Sequence, residues 1–331
     1  MKIKITVYFF MALNFLTVLT ITQTNAQGWV KTYDKNNFHY VSVYFIDNNT
    51  GFIAGISKSL DKSVLIRTTN NGVDWDIVYS SLKLIHNIYF LNNLTGFAAG
   101  ADGLLLKTMN CGNHWENVDA NITGSILSVL FIDDKNGFTG GSDESGGSGY
   151  IYYTDNGGDT WTNATPGGTN GIGSICFINE TTGFACGTGK ILKKTVDGGR
   201  SWTFASLPLF LPASEYNLVC IKFINQKTGF IVGGYMNAKG LILSTTDSGD
   251  NWVKKDMDNA MNSLFFVNEN TGYAAGANGF ITKTTDGGST WNTEETGCSD
   301  ILYSIYFVNS DTGFAVGQNG VLLKTTTGGN E

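Results

Sequence analysis

The stretch TTGFACGTGKILKKTVDGGRSW, residues 181–202, contains the two phrases that decide the fold. It includes a Thr-Gly-Phe triplet near its start and ends in a turn of the form Thr-x-Asp-x-Gly-x-x-Trp. A Thr/Asn-Gly-aromatic triplet recurs every 41 to 46 residues, with its glycine at Gly51, Gly96, Gly137, Gly183, Gly229, Gly272 and Gly313. A period of about 40–45 residues is the size of one four-stranded propeller blade. The seven repeats therefore predict seven blades.

A short strand phrase precedes each triplet. It reads small residue, apolar residue, variable residue, Phe, and it begins at Ser42, Asn87, Ser128, Ser174, Cys220, Ser263 and Ser304. Alternate side chains of a strand face opposite sides, so the apolar residue and the Phe share one face. We expect the triplet glycine to lie in the following hairpin with a positive φ, which glycine adopts without steric cost.

The turn at the end of the stretch occurs six times between predicted third and fourth strands. Its third position is Asn70, Asn110, Asn156, Asp197, Asp247 or Asp286, and its last is Trp75, Trp115, Trp161, Trp202, Trp252 or Trp291. An Asn or Asp oxygen there can accept hydrogen bonds from the turn's own N–H groups. A large ring that follows can pack between neighbouring blades. This motif is the Asp-box, or bacterial neuraminidase repeat. We expect all twelve residues to be structural and to lie on the ring's outer rim, opposite the binding loops.

The seventh unit shows how the ring closes. Its turn, residues 325–331, stops one residue before the expected Trp. The missing piece stands near the other end of the chain as Gly28-Trp29-Val30-Lys31-Thr32. We therefore predict that residues 28–34 form the outer strand of the last blade and pair near Val321–Thr325, which removes two open sheet edges. The predicted fold is all-β: a seven-bladed propeller of four-stranded antiparallel blades.

Residues 1–26 stand outside the repeat. Lys2 and Lys4 precede an apolar run from about Ile5 to Ile21, and Thr24-x-Ala26 suits signal peptidase. We interpret this segment as a secretory signal peptide; an uncleaved membrane anchor is the alternative. Residues 27–331 then form one propeller domain, exported to the periplasm, the cell surface or the medium. We expect no membrane span in the mature chain.

Composition restricts the class of partner. The chain of 331 residues carries a net charge of −7, which disfavours nucleic acid and anionic membranes because both require a basic face. Its 42 glycines and 3 prolines suit many tight turns between paired strands. The five cysteines are an odd number for an exported protein, and Cys176 and Cys186 lie close enough in sequence to pair. Because Cys186 occupies a column of small apolar residues, we expect it to pack as one of them. We expect a monomer.

The strand pair with T-G-F and the K-T-T-D-G-G-x-T-W turn resemble the repeats of the photosystem II stability/assembly-factor family. The resemblance covers about residues 28–331 and implies an exported seven-bladed propeller related in fold to Asp-box sialidases. That family carries an arginine patch, and sialidases use three arginines. This chain contains two, Arg67 and Arg200, so neither arrangement has a counterpart here.

Catalytic patterns are absent from the sequence. We find no HExxH, no G-x-S-x-G and no Ser/His/Asp order, and the histidines are scattered as His39, His86 and His114. We therefore expect no metal, no cofactor and no catalytic residue. Asp-box xyloglucanases need two propellers, whereas this chain has one. Hydrolysis by paired carboxylates nevertheless stays open as an alternative.

Loops that join blades, and loops that join second to third strands, meet at one mouth of a propeller channel. Four of the second-to-third loops are minimal turns, and three are expanded at about 56–63, 141–149 and 234–239. The connection around residues 203–217 carries apolar residues and two of the three prolines. We predict a contact surface at this mouth, although inert insertions would give the same pattern. Its candidate residues are His39, His86, Asp143, Glu144, Phe210, Glu215, Tyr216 and Tyr303.

The leading interpretation is an exported, non-enzymatic propeller that binds a protein or another macromolecule in the cell envelope, as an assembly or scaffold factor. A glycoside hydrolase other than a sialidase is the alternative, and a purely structural module of an envelope complex is a third. A cleft with two carboxylates about 5–10 Å apart would favour the hydrolase. A mouth lined by aromatic and mixed polar groups would favour binding. The sequence does not distinguish a protein partner from a glycan.

Overall fold

Seven small antiparallel sheets make up the part of the chain that is described. The computed structural model describes residues 28–34, 38–165, 170–207, 216–235 and 238–330. Within these ranges each sheet has four strands, and six of the sheets use four consecutive strands. The seventh joins the first strand of the chain to the last three. The predicted blade architecture is confirmed.

The strands of each blade are numbered in chain order. The first strands are β2 (Phe38–Phe45), β6 (Ile85–Phe90), β10 (Ser125–Phe131), β14 (Ile172–Phe177), β18 (Asn217–Phe223), β22 (Met261–Phe266) and β26 (Leu302–Phe307). The second strands are β3 (Gly51–Ser57), β7 (Gly96–Gly100), β11 (Gly137–Ser142), β15 (Gly183–Gly187), β19 (Gly229–Tyr235), β23 (Gly272–Gly276) and β27 (Gly313–Gly317). All second strands begin at the triplet glycine.

The outer half of each blade is less regular. The third strands are β4 (Lys62–Thr68), β8 (Leu105–Thr108), β12 (Gly149–Thr154), β16 (Ile191–Thr195), β20 (Lys239–Thr245), β24 (Ile281–Thr284) and β28 (Val321–Thr325). The fourth strands are β5 (Asp76–Ser81), β9 (Glu116–Asn117), β13 (Thr162–Asn163), β17 (Thr203–Phe204), β21 (Val253–Met257), β25 (Asn292–Glu294) and β1 (Val30–Asp34). Short 3₁₀ turns precede three third strands, at Thr188–Lys190, Ala277–Gly279 and Gln318–Gly320.

The hydrophobic core is a ring of seven clusters that lie between blades. Each cluster combines residues of two neighbouring sheets, and the cluster that contains Val43 of blade 1 also contains Phe314 and Leu322 of blade 7. The first strands likewise contact one another from blade to blade, including β2 with β26. The ring is therefore closed, and the seven first strands surround its central channel.

The closure is a clasp between the two ends of the described chain. Strand β1 pairs antiparallel with β28, with Val30 opposite Lys324. Thr32 Oγ1 donates to the Leu322 carbonyl at 3.5 Å. The buried Trp29 ring meets Phe307 edge-on at a centroid distance of 5.7 Å. The prediction that residues near the N-terminus complete the last blade is confirmed.

The triplet glycines serve a different purpose from the one predicted. None of them has a positive φ; each is the first residue of an extended strand within the described chain. A Cβ at Gly96 would lie 2.5 Å from Cδ1 of Phe90, the last residue of the preceding strand. The equivalent first-strand Phe makes the same close approach at the other six glycines, with shortest distances up to 2.9 Å. Glycine is required because an aromatic ring lies on its backbone, so the expectation of a left-handed hairpin residue was wrong.

The Asp-box turns have the predicted geometry. In the fourth blade, Thr195 Oγ1 donates to Asp197 Oδ1 at 2.8 Å and accepts from the Gly199 N–H at 2.9 Å. Asp197 Oδ1 also accepts from the Ser201 N–H at 3.0 Å. The Trp202 Nε1–H donates to the Gly199 carbonyl at 3.0 Å. The fifth-position glycine has a positive φ in every box, at Gly72, Gly112, Gly158, Gly199, Gly249 and Gly288.

Each Asp-box tryptophan packs across a blade boundary. Trp115 belongs to blade 2 and meets Phe52 of blade 1 and Phe90 of its own blade, at centroid distances of 6.1 and 5.8 Å. All six Asp-box tryptophans are buried. The side-chain oxygens of the six Asp-box Asn and Asp residues thus accept hydrogen bonds within their turns, and the six tryptophans pack in the core.

The expanded second-to-third loops are partly longer hairpins. In blade 1 the pairing continues to Ser57 opposite Lys62, and in blade 5 it continues to Tyr235 opposite Lys239. Only residues 143–148 of blade 3 form a loop of six residues between paired strands, with Ser142 opposite Gly149. The expected loops at 56–63 and 234–239 are thus shorter than predicted, because their residues extend the strands.

All five cysteines are free thiols. Cys186 is fully buried and lies opposite Ser174, whereas Cys176 lies opposite Phe184. Burial raises the pKa of both thiols. Cys186 therefore packs as a small apolar residue, as predicted, and forms no disulfide with Cys176.

The predicted signal peptide, residues 1–26, lies outside the described residues and stays a prediction. Among the residues that are described, no helix has the length and apolar character needed to cross a bilayer.

Candidate functional site

The strand register divides the ring into two faces. In blade 1, Phe38 at the start of β2 lies opposite Ser57 at the end of β3, and Ser57 lies opposite Lys62 at the start of β4. This end carries the blade-to-blade connections and the second-to-third loops, and we call it the loop face. The other end carries the first-to-second hairpins and the Asp-box turns, which meet where the Asn71 N–H donates to the Asn49 carbonyl at 2.9 Å. We call it the Asp-box face.

A β-bulge interrupts every first strand near the loop face. The register shifts by one residue immediately before the small residue of the strand phrase, and the extra residues are Val41, His86, Leu127, Gly173, Val219, Asn262 and Tyr303. All seven are half-buried. Bulges re-aim side chains next to functional sites. Two predicted site residues, His86 and Tyr303, therefore occupy equivalent positions in a ring of bulges at the channel mouth.

Hydrogen bonds between blades support this ring from below. The Ser42 hydroxyl accepts from the Ile88 N–H of the next blade at 3.3 Å, and the Ser304 hydroxyl accepts from the Val43 N–H at 3.2 Å. Asn87 does the same for the Val129 N–H at 3.3 Å. These bonds join neighbouring first strands directly, so the bulge residues stand on a connected framework.

The structure brings His39 and Tyr303 together across the boundary between blades 1 and 7. Their ring centroids are 5.2 Å apart with a tilt of 46°. Burial lowers the pKa of His39, and the positive charge of Lys58 lowers it further. Burial also raises the pKa of Tyr303. Both rings are therefore neutral near pH 7, when each offers an apolar surface with a polar edge.

His86 lies in blade 2 on the same face. Burial lowers its pKa as well, so it too is a neutral imidazole near pH 7. A neutral imidazole has one donor and one acceptor nitrogen. His39, His86 and Tyr303 thus form a mouth of mixed aromatic and polar groups over three consecutive blades.

The acidic residues predicted for the site lie on the loop face of blade 3. Asp143 Oδ1 accepts from the Ser145 hydroxyl at 2.7 Å and from the Gly147 N–H at 3.0 Å. The bond from Ser145 is the largest cause of the lowered pKa of Asp143. Asp143 therefore shapes its own loop, whereas Glu144 is exposed and free to meet a partner.

Tyr216 is not a contact residue. Its side chain is 7% exposed and packs in the core between blades 4 and 5 with Leu218 and Trp252. The Lys254 ammonium lies 5.7 Å from the centre of its ring. The expectation that Tyr216 lies on the exposed contact surface was therefore wrong, because its side chain, just before β18, is covered by the core. Phe210 and Glu215 lie outside the described residues.

Sequence reasoning missed three leucines on the loop face of blades 1 and 2. Leu82 is 82% exposed, Leu60 49% and Leu84 40%. Leu60 lies between β3 and β4, and the other two lie between β5 and β6. The Lys83 ammonium donates to the Asp102 carbonyl at 2.9 Å, which fixes the segment between these leucines. We call Leu60, Leu82 and Leu84 the leucine patch.

The position of the leucine patch relates it to the predicted site residues. His39 and His86 belong to the same two blades and the same face, so apolar and polar contacts lie on one side of the ring. The signal available in the sequence was the run Leu82-Lys83-Leu84 in a blade-to-blade connection. Large apolar side chains that are exposed on one face of a protein indicate an interaction surface.

In the described ranges, no group of three or more His, Cys, Asp or Glu side chains is placed to hold a metal ion. The two arginines also lie away from the mouth, at the Asp-box end: Arg67 donates to Asn113 Oδ1 at 2.6 Å, and Arg200 lies 5.9 Å from the centre of the Tyr153 ring.

A family of assembly factors shares these repeats. The model of the family described as photosynthesis system II assembly factor YCF48 matches residues 169–263 and 257–326. The chain is a photosystem II assembly-factor-like seven-bladed propeller. The resemblance predicted from the T-G-F and Asp-box motifs is confirmed. No curated protein sequence matches the chain.

Solved structures give the same answer for the fold. YCF48 from Cyanidioschyzon merolae is 19% identical, with a TM-score of 0.68 over 90% of this chain and 98% of that one. A structure described as YCF48 bound to D1 peptide is 20% identical, with a TM-score of 0.69 over 92% and 97%. The WD40 propeller domain of Doa1 reaches a TM-score of 0.67 at 9% identity, over 90% and 96%. Likeness at these identities shows the fold alone.

Proposed function

We propose that this propeller is an exported, non-enzymatic binding protein of the cell envelope that holds a segment of another protein on its loop face, as an assembly or scaffold factor. The observation that carries the proposal is the leucine patch beside His39 and His86. An exposed apolar patch next to neutral aromatic rings suits a polypeptide that brings apolar side chains and backbone groups. The YCF48 structure described as bound to D1 peptide supports a peptide partner for this kind of propeller.

The charged side chains on the same face as the leucine patch indicate which kind of protein segment fits there. Lys58, Lys62 and Lys83 are exposed on the loop face of blades 1 and 2, and they outnumber the exposed Asp61 and Asp102 there, within a chain whose net charge is −7. Basic groups at the rim of an apolar patch select partners by charge. We infer that the partner segment has apolar anchors flanked by acidic side chains. A glycan would leave the exposed leucines without a matching surface.

The hydrolase alternative has less support. The mouth on the loop face combines imidazole, phenol and aliphatic groups, which matches the arrangement expected for binding. Two cavities open at the opposite end of the channel, and among the residues that line them each has one carboxylate, Glu180 or Glu269. Glycoside hydrolysis needs a pair of carboxyl groups in one cleft.

A pull-down from the envelope fraction, followed by mass spectrometry, tests the proposal with matched variants. Leu82→Glu places a charge in the leucine patch and should abolish co-purification of the partner. Val73→Glu is the control, because Val73 is 69% exposed but lies in an Asp-box turn on the opposite face. A partner that survives Leu82→Glu, or that is lost equally with Val73→Glu, would show that the loop face does not bind it. Phe210→Ala in the same assay tests one of the two predicted contacts that lie outside the described residues, and retained binding would exclude Phe210 from the contact.

Export is tested separately. Expression with the native N-terminus should yield an extracytoplasmic protein that begins at Gln27, as determined by N-terminal sequencing of the purified chain. A protein that keeps residues 1–26, or that remains in the cytoplasm, would contradict the signal-peptide interpretation.

A further inference from the structure

A second feature of the channel lies toward the Asp-box face and is independent of the proposed function. It concerns the variable position of the strand phrase, the residue before the Phe of each first strand. In chain order these residues are Tyr44, Tyr89, Leu130, Cys176, Lys222, Phe265 and Tyr306. The aromatic members come from blades 6, 7, 1 and 2, and the other three come from blades 3, 4 and 5.

The aromatic half of this ring is filled by its own side chains. Tyr306 lies 5.0 Å from Tyr44 and 4.8 Å from Phe265, measured between ring centroids. The Tyr306 hydroxyl donates to the Phe45 carbonyl at 2.8 Å, and the Tyr44 hydroxyl donates to the Phe90 carbonyl at 3.0 Å. Each phenol thus binds the next blade, so these rings are fixed in place.

The other half is open. Where Leu130, Cys176 and Lys222 replace the aromatic residues, two cavities of about 360 and 440 Å³ remain. The first is lined largely by aliphatic and aromatic groups such as Ile132 and Ile178, and the second by Phe223, Ile224, Phe265 and Phe266. Small-molecule sites typically measure about 300–1,000 Å³ and are mostly apolar with a few polar groups. Both cavities meet these criteria.

Lys222 is the feature that the two cavities share, since it lines both. It is exposed, and its ammonium makes no hydrogen bond or ion pair with any residue in the described ranges. Its positive charge acts on the Cys176 thiol, but burial raises the pKa of that thiol, so Cys176 is neutral and supplies no counter-ion. Glu180 lines the first cavity and Glu269 the second, from the first-to-second hairpins of blades 4 and 6. Two carboxylates there oppose ligands that carry several negative charges.

We propose that Lys222 and these two cavities form a binding site for an amphipathic organic monoanion, such as a medium-chain carboxylic acid. The apolar chain lies in one cavity and the carboxylate accepts a charge-assisted hydrogen bond from the Lys222 ammonium. A single acyl chain fits a cavity lined mainly by apolar side chains, and its one charge matches Lys222, the one cation among the residues that line the two cavities. The filled aromatic half of the ring restricts the ligand to blades 3 to 6.

Calorimetric titration of the purified full chain with decanoate, below its micellar concentration, tests the site. Decanoate should bind, and Lys222→Met should weaken binding at least tenfold. Lys255→Met is the control, since Lys255 is an exposed lysine on the outer strand of the same blade. Decanol and decylammonium, which lack the negative charge, should bind at least tenfold more weakly than decanoate. Absence of decanoate binding, unchanged affinity in Lys222→Met, or equal binding of decanol would overturn the proposal.

Photolabelling keeps the proposal testable if Lys222→Met fails to fold, which the melting temperature would show. A decanoate analogue with a terminal diazirine should label the wild-type protein in peptides that contain residues 130–132, 175–180, 223–224 or 265–266. Excess decanoate should suppress this labelling. Labelling confined to other peptides would place the acid elsewhere and refute the assignment.

Discussion

Replacing Gly96 by alanine tests the reason for the most regular feature of the repeat. The new Cβ would lie 2.5 Å from Cδ1 of Phe90, closer than carbon atoms approach in folded proteins. The Phe90 ring cannot move aside, because it stacks on Phe52 at 4.8 Å and meets Trp115 edge-on at 5.8 Å. Forcing an extra methyl group into a well-packed core costs about 1–3 kcal/mol. We expect Gly96→Ala to lose free energy of unfolding in this range.

Urea unfolding, followed by tryptophan fluorescence, measures the loss. Gly173→Ala is the matched control, because the atom nearest its added Cβ is the Val219 carbonyl oxygen at 3.5 Å, an ordinary contact. Alanine in place of glycine at a compatible site stabilises by about 0.4–1 kcal/mol. Adding Phe90→Leu to Gly96→Ala should give a double mutant that loses less than the sum of the single losses, because leucine can clear the new methyl group. Equal effects of Gly96→Ala and Gly173→Ala would refute the ring-contact explanation.

Three further outcomes are expected. Deleting residues 28–34 should expose the edge of the last blade and cause aggregation or a large fall in melting temperature; an unchanged melting temperature would show that the clasp adds no stability. Trp202→Ala should cost about 3–5 kcal/mol, as for other large buried aromatics, while the folded fraction retains partner affinity; loss of affinity at unchanged stability would place the site in the Asp-box. The hydrogen bond from Thr290 lowers the pKa of Asp286 from 3.8 to about 2, so its contribution is present above pH 3.8 and is lost as the pH falls toward 2. Asp286→Asn should therefore flatten the acid limb of the stability profile, since Asn156 holds the same position in blade 3; an unchanged acid limb would show that this carboxylate does not contribute.

The fold was predictable because every blade repeats the same sequence motifs. Six Asp-box tryptophans and a seventh near the N-terminus match seven triplets, which determined both the number of blades and the place of closure. Local chemistry sufficed for the Asp-box, where Asp197 and its partners lie within eight residues of one another. The register shift that creates the bulges left no comparable signal, since it depends on how two strands pair.

The structural role of the triplet glycine could not be predicted from the local sequence. A glycine after Thr or Asn in a hairpin favours a left-handed residue, and that inference was reasonable for an isolated turn. The observed reason is the ring of the preceding strand's Phe, which lies over Gly96 and its equivalents only once the two strands have paired. The requirement for glycine thus comes from a contact between two strands and not from the conformation of the turn.

The candidate site was predictable only in part. His39, His86 and Tyr303 stand at the strand starts, so their place at one mouth followed from topology. The leucine patch did not follow, because Leu84 is exposed while Ile85 beside it is buried, and apolar character alone does not separate them. The prediction for Tyr216 was wrong for the opposite reason. Tyr216 lies near a long connection and was expected to be accessible, yet it packs against Trp252.

The clasp also sets a minimum time that must pass during synthesis before the last blade can be completed. Thr32 and Leu322, which are hydrogen-bonded across it, are 290 positions apart in the chain. At about 5–20 residues per second, a ribosome needs about 15–60 s to add the later residue after the earlier one. Throughout that interval residues 30–34 lack β28, the strand with which they pair in the folded ring. Strand β1, which is synthesised first, therefore gains its partner only when the last hairpin, β27–β28, has been made.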